Sequence, residues 1–225
     1  MDTSLGFIVD ALPTLLKGAL ITLQLTAVTV ALGSIGGIAL GIARLSKLGF
    51  LRLLSRMYID FFRGTPLLVQ LFMIYFGAPA LVKSIGADFS FNQWGAAVVG
   101  LSLNSAAYLA EIVRAGIQSI EIGQKEASES LGLSSNQTMR YVVFPQALRR
   151  MVPPLGNEFI TLLKDTSLVA VIGYQELFRQ GQLIVARNFR SFEIFFAVAL
   201  IYLALNVIAS QAFSLLERRL DPKQS

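Results

Sequence analysis

Four stretches of this chain contain no charged residue, and they constrain its fold more than any other feature: Gly18 to Ala43, Gly64 to Val82, Phe89 to Ala110 and Ile194 to Leu216. A hydrocarbon core of about 30 Å takes roughly 20 helical residues at ~1.5 Å each, so every one of these runs reads as a membrane helix. A fifth segment, Val152 to Gly173, has the length and the apolar background but carries Glu158, Lys164 and Asp165. A mean hydropathy of +0.63 with 15% charged residues is too apolar for an ordinary soluble domain of 225 residues. The reading is an all-α membrane protein of about five transmembrane helices. It forms a single transmembrane domain over residues 1–225, with spans near 14–44, 60–82, 91–118, 152–173 and 192–216 and a polar loop at 121–150.

The segment MDTSLGFIVD is acidic where a cleaved leader would be basic, and the apolar run after it is too long for such a leader. The first span is therefore expected to be retained. Five spans put the two ends on opposite sides. With the N-terminus outside, the inner segments hold twelve basic residues, among them Arg44, Lys47, Arg140, Arg149, Arg218 and Lys223; the outer ones hold only Lys83, Arg179, Arg187 and Arg190. The excess of Lys and Arg assigns the first set, and with it the polar loop, to the cytoplasm.

The chain has no Cys and no His. Disulfides, thiolate sites and the commonest metal ligand are thereby excluded, and neither a catalytic group nor a metal site is expected. The net charge of +5 is read as membrane orientation, with no nucleic acid as partner. Gly33-x-x-x-Gly37 and Gly37-x-x-x-Gly41 on the first span either mark a close helix contact or reflect the ordinary frequency of glycine in membrane helices. No inverted repeat of a whole set of spans is visible, which argues against a self-contained carrier.

The loop EIGQKEASESLGLSSNQTMRYVVFPQALRR, residues 121–150, has internal order. Glu121 and Lys125 are spaced i, i+4, Ala127 and Leu131 share a face, and Gly132 suits the residue just past a helix end. Ser134 to Gln137 reads as a capping box opening a second helix, which Pro145 is expected to disturb. The loop is thus a helix, a tight glycine turn and another helix.

Within it, Glu126-Ala127-Ser128, Gly132, and Val142-x-Phe144-Pro145 keep the spacing of EAA-x3-G-x9-I-x-L-P, the signature of the permease subunits of bacterial ABC importers. Ser128, Val142 and Phe144 depart from that pattern by small or apolar swaps. Arg63-Gly-Thr-Pro-Leu-Leu-Val-Gln70, Asn104-Ser-Ala-Ala-Tyr-Leu-Ala-Glu-Ile112 and Gly156-Asn-Glu-Phe-Ile160 with Lys164-Asp-Thr-Ser-Leu168 resemble the polar amino-acid uptake branch of the same family. The likeness runs from about Leu12 to Arg219. It implies a fold like the type I ABC importers, with the coupling helix between the third and fourth spans docking on an ATP-binding subunit through Glu126, Ala127, Ser128, Gly132 and Pro145. It also implies a second permease subunit, identical or related, an extracytoplasmic amino-acid-binding protein, and residence in the bacterial inner membrane, surrounded by lipid. The chain lacks G-x-x-x-x-G-K-[ST], so ATP and Mg are expected on the partner ATPase and no cofactor on this chain.

Charged groups near a bilayer centre are costly and face protein or water rather than lipid. Glu158, Thr161 and Asp165 fall at i, i+3, i+7, flanked by Asn157 and Lys164; Asn104, Tyr108 and Glu111 repeat that geometry on the preceding span. These stripes either line a pathway for an amino-acid zwitterion or are ion-paired packing devices in which Lys164 or Arg114 is the partner. The rival to an ATP-driven permease is an ion-coupled carrier or channel, which leaves the polar loop without a role. An intramembrane enzyme lacks a nucleophile elbow and any histidine.

Overall fold

A computed structural model describes residues 4–220; Lys223, counted above among the inner basic residues, lies outside them. The described residues form helices joined by short turns, without strands. Helix α1, Ser4–Arg44, is followed by α2, Gly49–Gly64, and by α3, Leu67–Ser84. Next come α4, Gln93–Gln118, and the short α5, Ile122–Ser130. Helix α6 covers residues 135–165 and gives way to a 3-10 segment, Thr166–Ile172. Helices α7, Leu177–Asn188, and α8, Ser191–Leu220, complete the chain. Among the described residues, α1, α3, α4 and α8 are long and apolar enough to cross a membrane. The fifth expected pass falls on the second half of α6 and the 3-10 segment, whose charged residues keep it below that measure.

Several boundaries differ from the sequence reading for identifiable reasons. Helix α1 starts at Ser4, well before the uncharged window. Its early turns are held by Ala11, Leu15 and Ala19, which pack against Leu177, Ile194, Ala197 and Val198. Residues 60–64 do not belong to the second span. They end α2, and the chain crosses to α3 through Thr65 and Pro66, both extended. Pro145 disturbs its helix as expected, without ending it. A π turn over Met139–Val143 precedes it, and the same device, Met73–Gly77, precedes Pro79 in α3. In each case the five-residue π turn stops two residues before the proline. A proline ring clashes with the carbonyl four residues back and has no N–H to offer it, and widening the turn relieves both faults.

The glycine spacing of α1 marks a contact. A Cβ on Gly33 would lie 2.9 Å from Ser105 Oγ, one on Gly37 2.5 Å from Leu109 Cβ, and one on Gly41 2.8 Å from Val113 Cγ1. The stripe lets α1 and α4 approach more closely than any side chain would permit. Around this pair a central core gathers Leu25, Leu71, Ala97, Leu101, Leu162 and Val169 from α1, α3, α4, α6 and the 3-10 segment.

Candidate functional site

The loop at 121–150 folds as a helix, a tight turn and the capped start of a second helix. Helix α5 closes in a Schellman turn: Gly132 sits at φ +82°, its N–H donates to the Glu129 carbonyl (2.9 Å), and the Leu133 N–H donates to the Ser128 carbonyl (3.1 Å). Beyond the turn the capping box forms, with the Gln137 N–H donating to Ser134 Oγ (3.4 Å) and the Ser134 N–H to Gln137 Oε1 (2.8 Å). Ser128 Oγ donates to Thr138 Oγ1 (2.9 Å), with both residues buried, so a hydroxyl pair clamps α5 to the start of α6. The second Ala of the resembled signature is replaced here by the residue that makes this clamp. One expected detail fails: Glu121 stands just outside α5 as its N-terminal flanking residue and forms no ion pair with Lys125 among the described residues.

One side of this helix–turn–helix is exposed. Glu126, Ala127 and Gly132 are all exposed, as is Pro145 beyond the turn, while Ser128 faces inward. Helix α6 then runs without interruption from this polar region into the bundle. Its Val143, Ala147 and Met151 pack on Val113 and Ile117 of α4 and on Ile120 just past its end. Gly116 belongs to the same contact, since a Cβ there would lie 2.4 Å from Met151 Cγ. This packing joins the 121–150 segment to α4 and α6, the two helices that carry the polar stripes.

Between these helices and the end of α2 lies a cleft of about 380 Å³, lined among others by Arg63, Tyr108, Glu111, Ser119, Arg150 and Pro154. The Arg63 guanidinium sits over the Tyr108 ring, 5.3 Å from its centroid. Arg114 Nε donates to Glu111 Oε1 (2.9 Å) and Oε2 (3.0 Å), a pairing within one turn of α4. The cleft brings Tyr108 and Glu111 together. Asn157 is exposed one turn beyond Pro154 on α6, and Glu158, Thr161 and Asp165 continue from there, each half-buried. Arg114 is occupied by Glu111, and neither Glu158 nor Asp165 forms a salt bridge among the described residues. The ion-paired reading of the α6 stripe is thus not realised in this structure.

Asn104 does not line the cleft. It is buried, and its amide nitrogen donates to Gln70 Oε1 (3.0 Å) and to the Phe62 carbonyl (3.3 Å). Gln70, also buried, reaches the carbonyls of Phe62 (2.9 Å) and Thr65 (3.0 Å) and the Thr65 hydroxyl. The break at Thr65–Pro66 leaves the last carbonyls of α2 without helical partners, which is untenable in lipid unless side chains supply donors. Gln70 and Asn104 supply them, so Asn104 is part of a clamp that allows the break. Gln70 lies in a quoted motif, but nothing in the spacing marks it as a cap.

A second polar hub was not legible. Glu176, fully buried, accepts from the N–H groups of Phe178 (2.9 Å) and Arg179 (2.7 Å), from Tyr202 Oη (2.8 Å) and from Thr22 Oγ1 (3.4 Å). It caps α7 and ties it to α1 and α8. Its signal was an acidic residue just before a helix start, but the two hydroxyls come from positions 154 and 26 residues away.

The helical bundle, with four helices long and apolar enough to cross a membrane among the described residues, and its charged cleft define a multi-pass membrane protein. Residues 33–222 match the family model described as binding-protein-dependent transport system inner membrane component. The glutamine transport system permease protein GlnP of Escherichia coli is 44% identical over 210 residues, covering 93% of this chain and 94% of that protein. The probable amino-acid permease protein YxeN of Bacillus subtilis is 42% identical over 215 residues, 96% of this chain and 95% of the relative. A crystal structure of an amino acid ABC transporter with histidines superposes with a TM-score of 0.87 at 40% identity, covering 94% of this chain and 96% of that one. The chain belongs to the family of inner membrane components of binding-protein-dependent transport systems.

Proposed function

We propose that this chain is the permease subunit of an ATP-driven importer of polar amino acids, working by alternating access. The observation that carries the reading is the lever. An exposed helix locked by a Schellman turn and a buried hydroxyl pair, continuous with a membrane helix, is suited to receive mechanical work from a separate engine. In this reading ATP and Mg are held by two partner ATP-binding subunits, whose closure draws the α5 helices of two permease subunits together. Helices α4 and α6 follow through the Val143, Ala147 and Met151 contact and open the bundle outward to a substrate-loaded binding protein. The relatives named for amino acids, glutamine among them, support the substrate class. The cleft supports it too, since a zwitterion needs both signs of charge and Arg63 and Glu111 both line it.

The N-terminus and the 83–92 turn are placed outside, and the lever and C-terminus in the cytoplasm. The chain has no native cysteine, so Ser130→Cys tests this directly: an impermeant thiol reagent should label it from the inner face only. The function is tested by reconstituting the chain with its co-encoded ATPase and binding protein in liposomes. ATP hydrolysis should be stimulated by one or a few amino acids; uptake that follows an ion gradient and ignores ATP would favour a secondary carrier instead.

A further inference from the structure

Two arginines line the charged cleft, Arg63 and Arg150, and they are held differently. Arg150 donates through Nη1 to the Ser119 carbonyl. Glu111, also in the lining, accepts from Arg114 through both carboxylate oxygens (2.9 and 3.0 Å), so its charge is already neutralised within α4. Arg63 is exposed and forms no salt bridge among the described residues. Its guanidinium lies over the Tyr108 ring, 5.3 Å from the centroid. That contact uses the face of the guanidinium plane and leaves the N–H groups along its edges open, in the fork that matches a carboxylate. The backbone that carries the side chain is fixed as well. Arg63 lies in the last turn of α2, and the carbonyl of Phe62 beside it accepts from both Gln70 and Asn104.

A cation held by its face, with open edges in a cleft of about 380 Å³, suits a small molecule that carries a carboxylate. We propose that Arg63 receives the α-carboxylate of the transported amino acid through two parallel N–H···O bonds, and that Tyr108 is the positioning residue that holds the guanidinium plane for it. The site thus reads a group that all α-amino acids share. Ser119 and Arg150 border the two ends of the 121–150 segment, so in the orientation given above the cleft lies at the cytoplasmic end of the bundle and Arg63 is a late contact on the way in. The assignment rests on the transport reading for the identity of the ligand.

The test uses the purified transporter complex without ATP. Ser119 lines the same cleft and the chain has no native cysteine, so Ser119→Cys reports occupancy through its rate of labelling by a maleimide. The probes are L-glutamine, L-histidine and L-arginine, each compared with its α-carboxamide; the acids should slow labelling and the amides should not. In Arg63→Gln the concentration of acid that gives half-protection should rise at least about tenfold, the loss expected for hydrogen bonds to a charged group. Arg63→Lys, which keeps the charge without the fork, should fall in between. Tyr108→Leu should raise the same concentration about two- to fivefold, and Tyr108→Phe, which keeps the ring, should restore it. If Arg63→Gln assembles poorly, the two Tyr108 variants and Arg63→Lys still decide the matter. Equal protection by acids and amides, no protection by any probe, undiminished protection in Arg63→Gln, or inorganic phosphate protecting as well as the acids would each overturn the site. ATP-driven uptake by the wild type is measured separately: its absence would sink the transport reading, whereas uptake without carboxylate-dependent protection would sink only the role of Arg63.

Discussion

Replacing Gly132 tests the lever without touching any membrane helix. At φ +82° an L side chain suffers a steric penalty of about 1 to 2 kcal/mol. A Cβ built there meets nothing within 4 Å, so alanine adds no clash to that backbone term. A loss of 1 to 2 kcal/mol corresponds to roughly a 5- to 30-fold rise in the population of the opened turn. Asparagine tolerates this region better than alanine and should cost less. Proline fixes φ near −65° and removes the N–H that donates to Glu129, so Gly132→Pro forfeits the whole turn, at about 3 kcal/mol or more. ATP-driven uptake in liposomes should therefore fall in the order wild type, Asn, Ala, Pro. Limited proteolysis between residues 130 and 135 should rise in the same order, while membrane insertion is unchanged. Full uptake by Gly132→Pro, or equal loss in all three variants, would refute the idea that a locked turn transmits work.

Removing the Asn104 side chain strips two donors from the clamp at the Thr65–Pro66 break; at about 1 to 3 kcal/mol for a stranded buried group, Asn104→Ala should lower assembled yield as much as Gln70→Ala does. A variant that assembles normally but loses uptake affinity would return Asn104 to the pathway. Glu176→Gln puts an amide nitrogen against N–H donors that now have a carboxylate oxygen, so thermal stability should drop by several degrees, with protease sensitivity appearing in α7; an unchanged melting profile would show that the hub contributes little. For the α6 stripe, Glu158→Gln and Asp165→Asn should preserve assembly, since neither carboxylate is in a salt bridge, and should change uptake kinetics. Poor expression rescued by removing Lys164 as well would show instead that Asp165 is paired within the assembled transporter.

Most of what positions this protein in a membrane is local in sequence, and for that reason was readable there. Uncharged windows and a capping box followed by apolar residues depend on neighbours a few positions apart. The helix–turn–helix of the lever followed from Gly132 and from Ser134 to Gln137 on the same grounds. Pro145 disturbs its helix as the sequence implies, but that the disturbance takes the form of a π turn, with the helix continuing beyond it, is set by the packing on both sides. The glycines of α1 carried a real signal whose meaning was undecided until Ser105, Leu109 and Val113 were found opposite them. Asn104 looked like a pathway group because helical spacing puts it in register with Tyr108 and Glu111. Only the tertiary structure brings Gln70 and the Phe62 carbonyl, 34 and 42 residues away, to its amide. Glu176 needed partners from three helices before its burial made sense. Periodicity determines which residues share a helix face, but which faces meet depends on packing between distant segments. Polar groups in lipid are assigned by those meetings, because each must find its hydrogen-bond partner in the protein wherever the chain brings one.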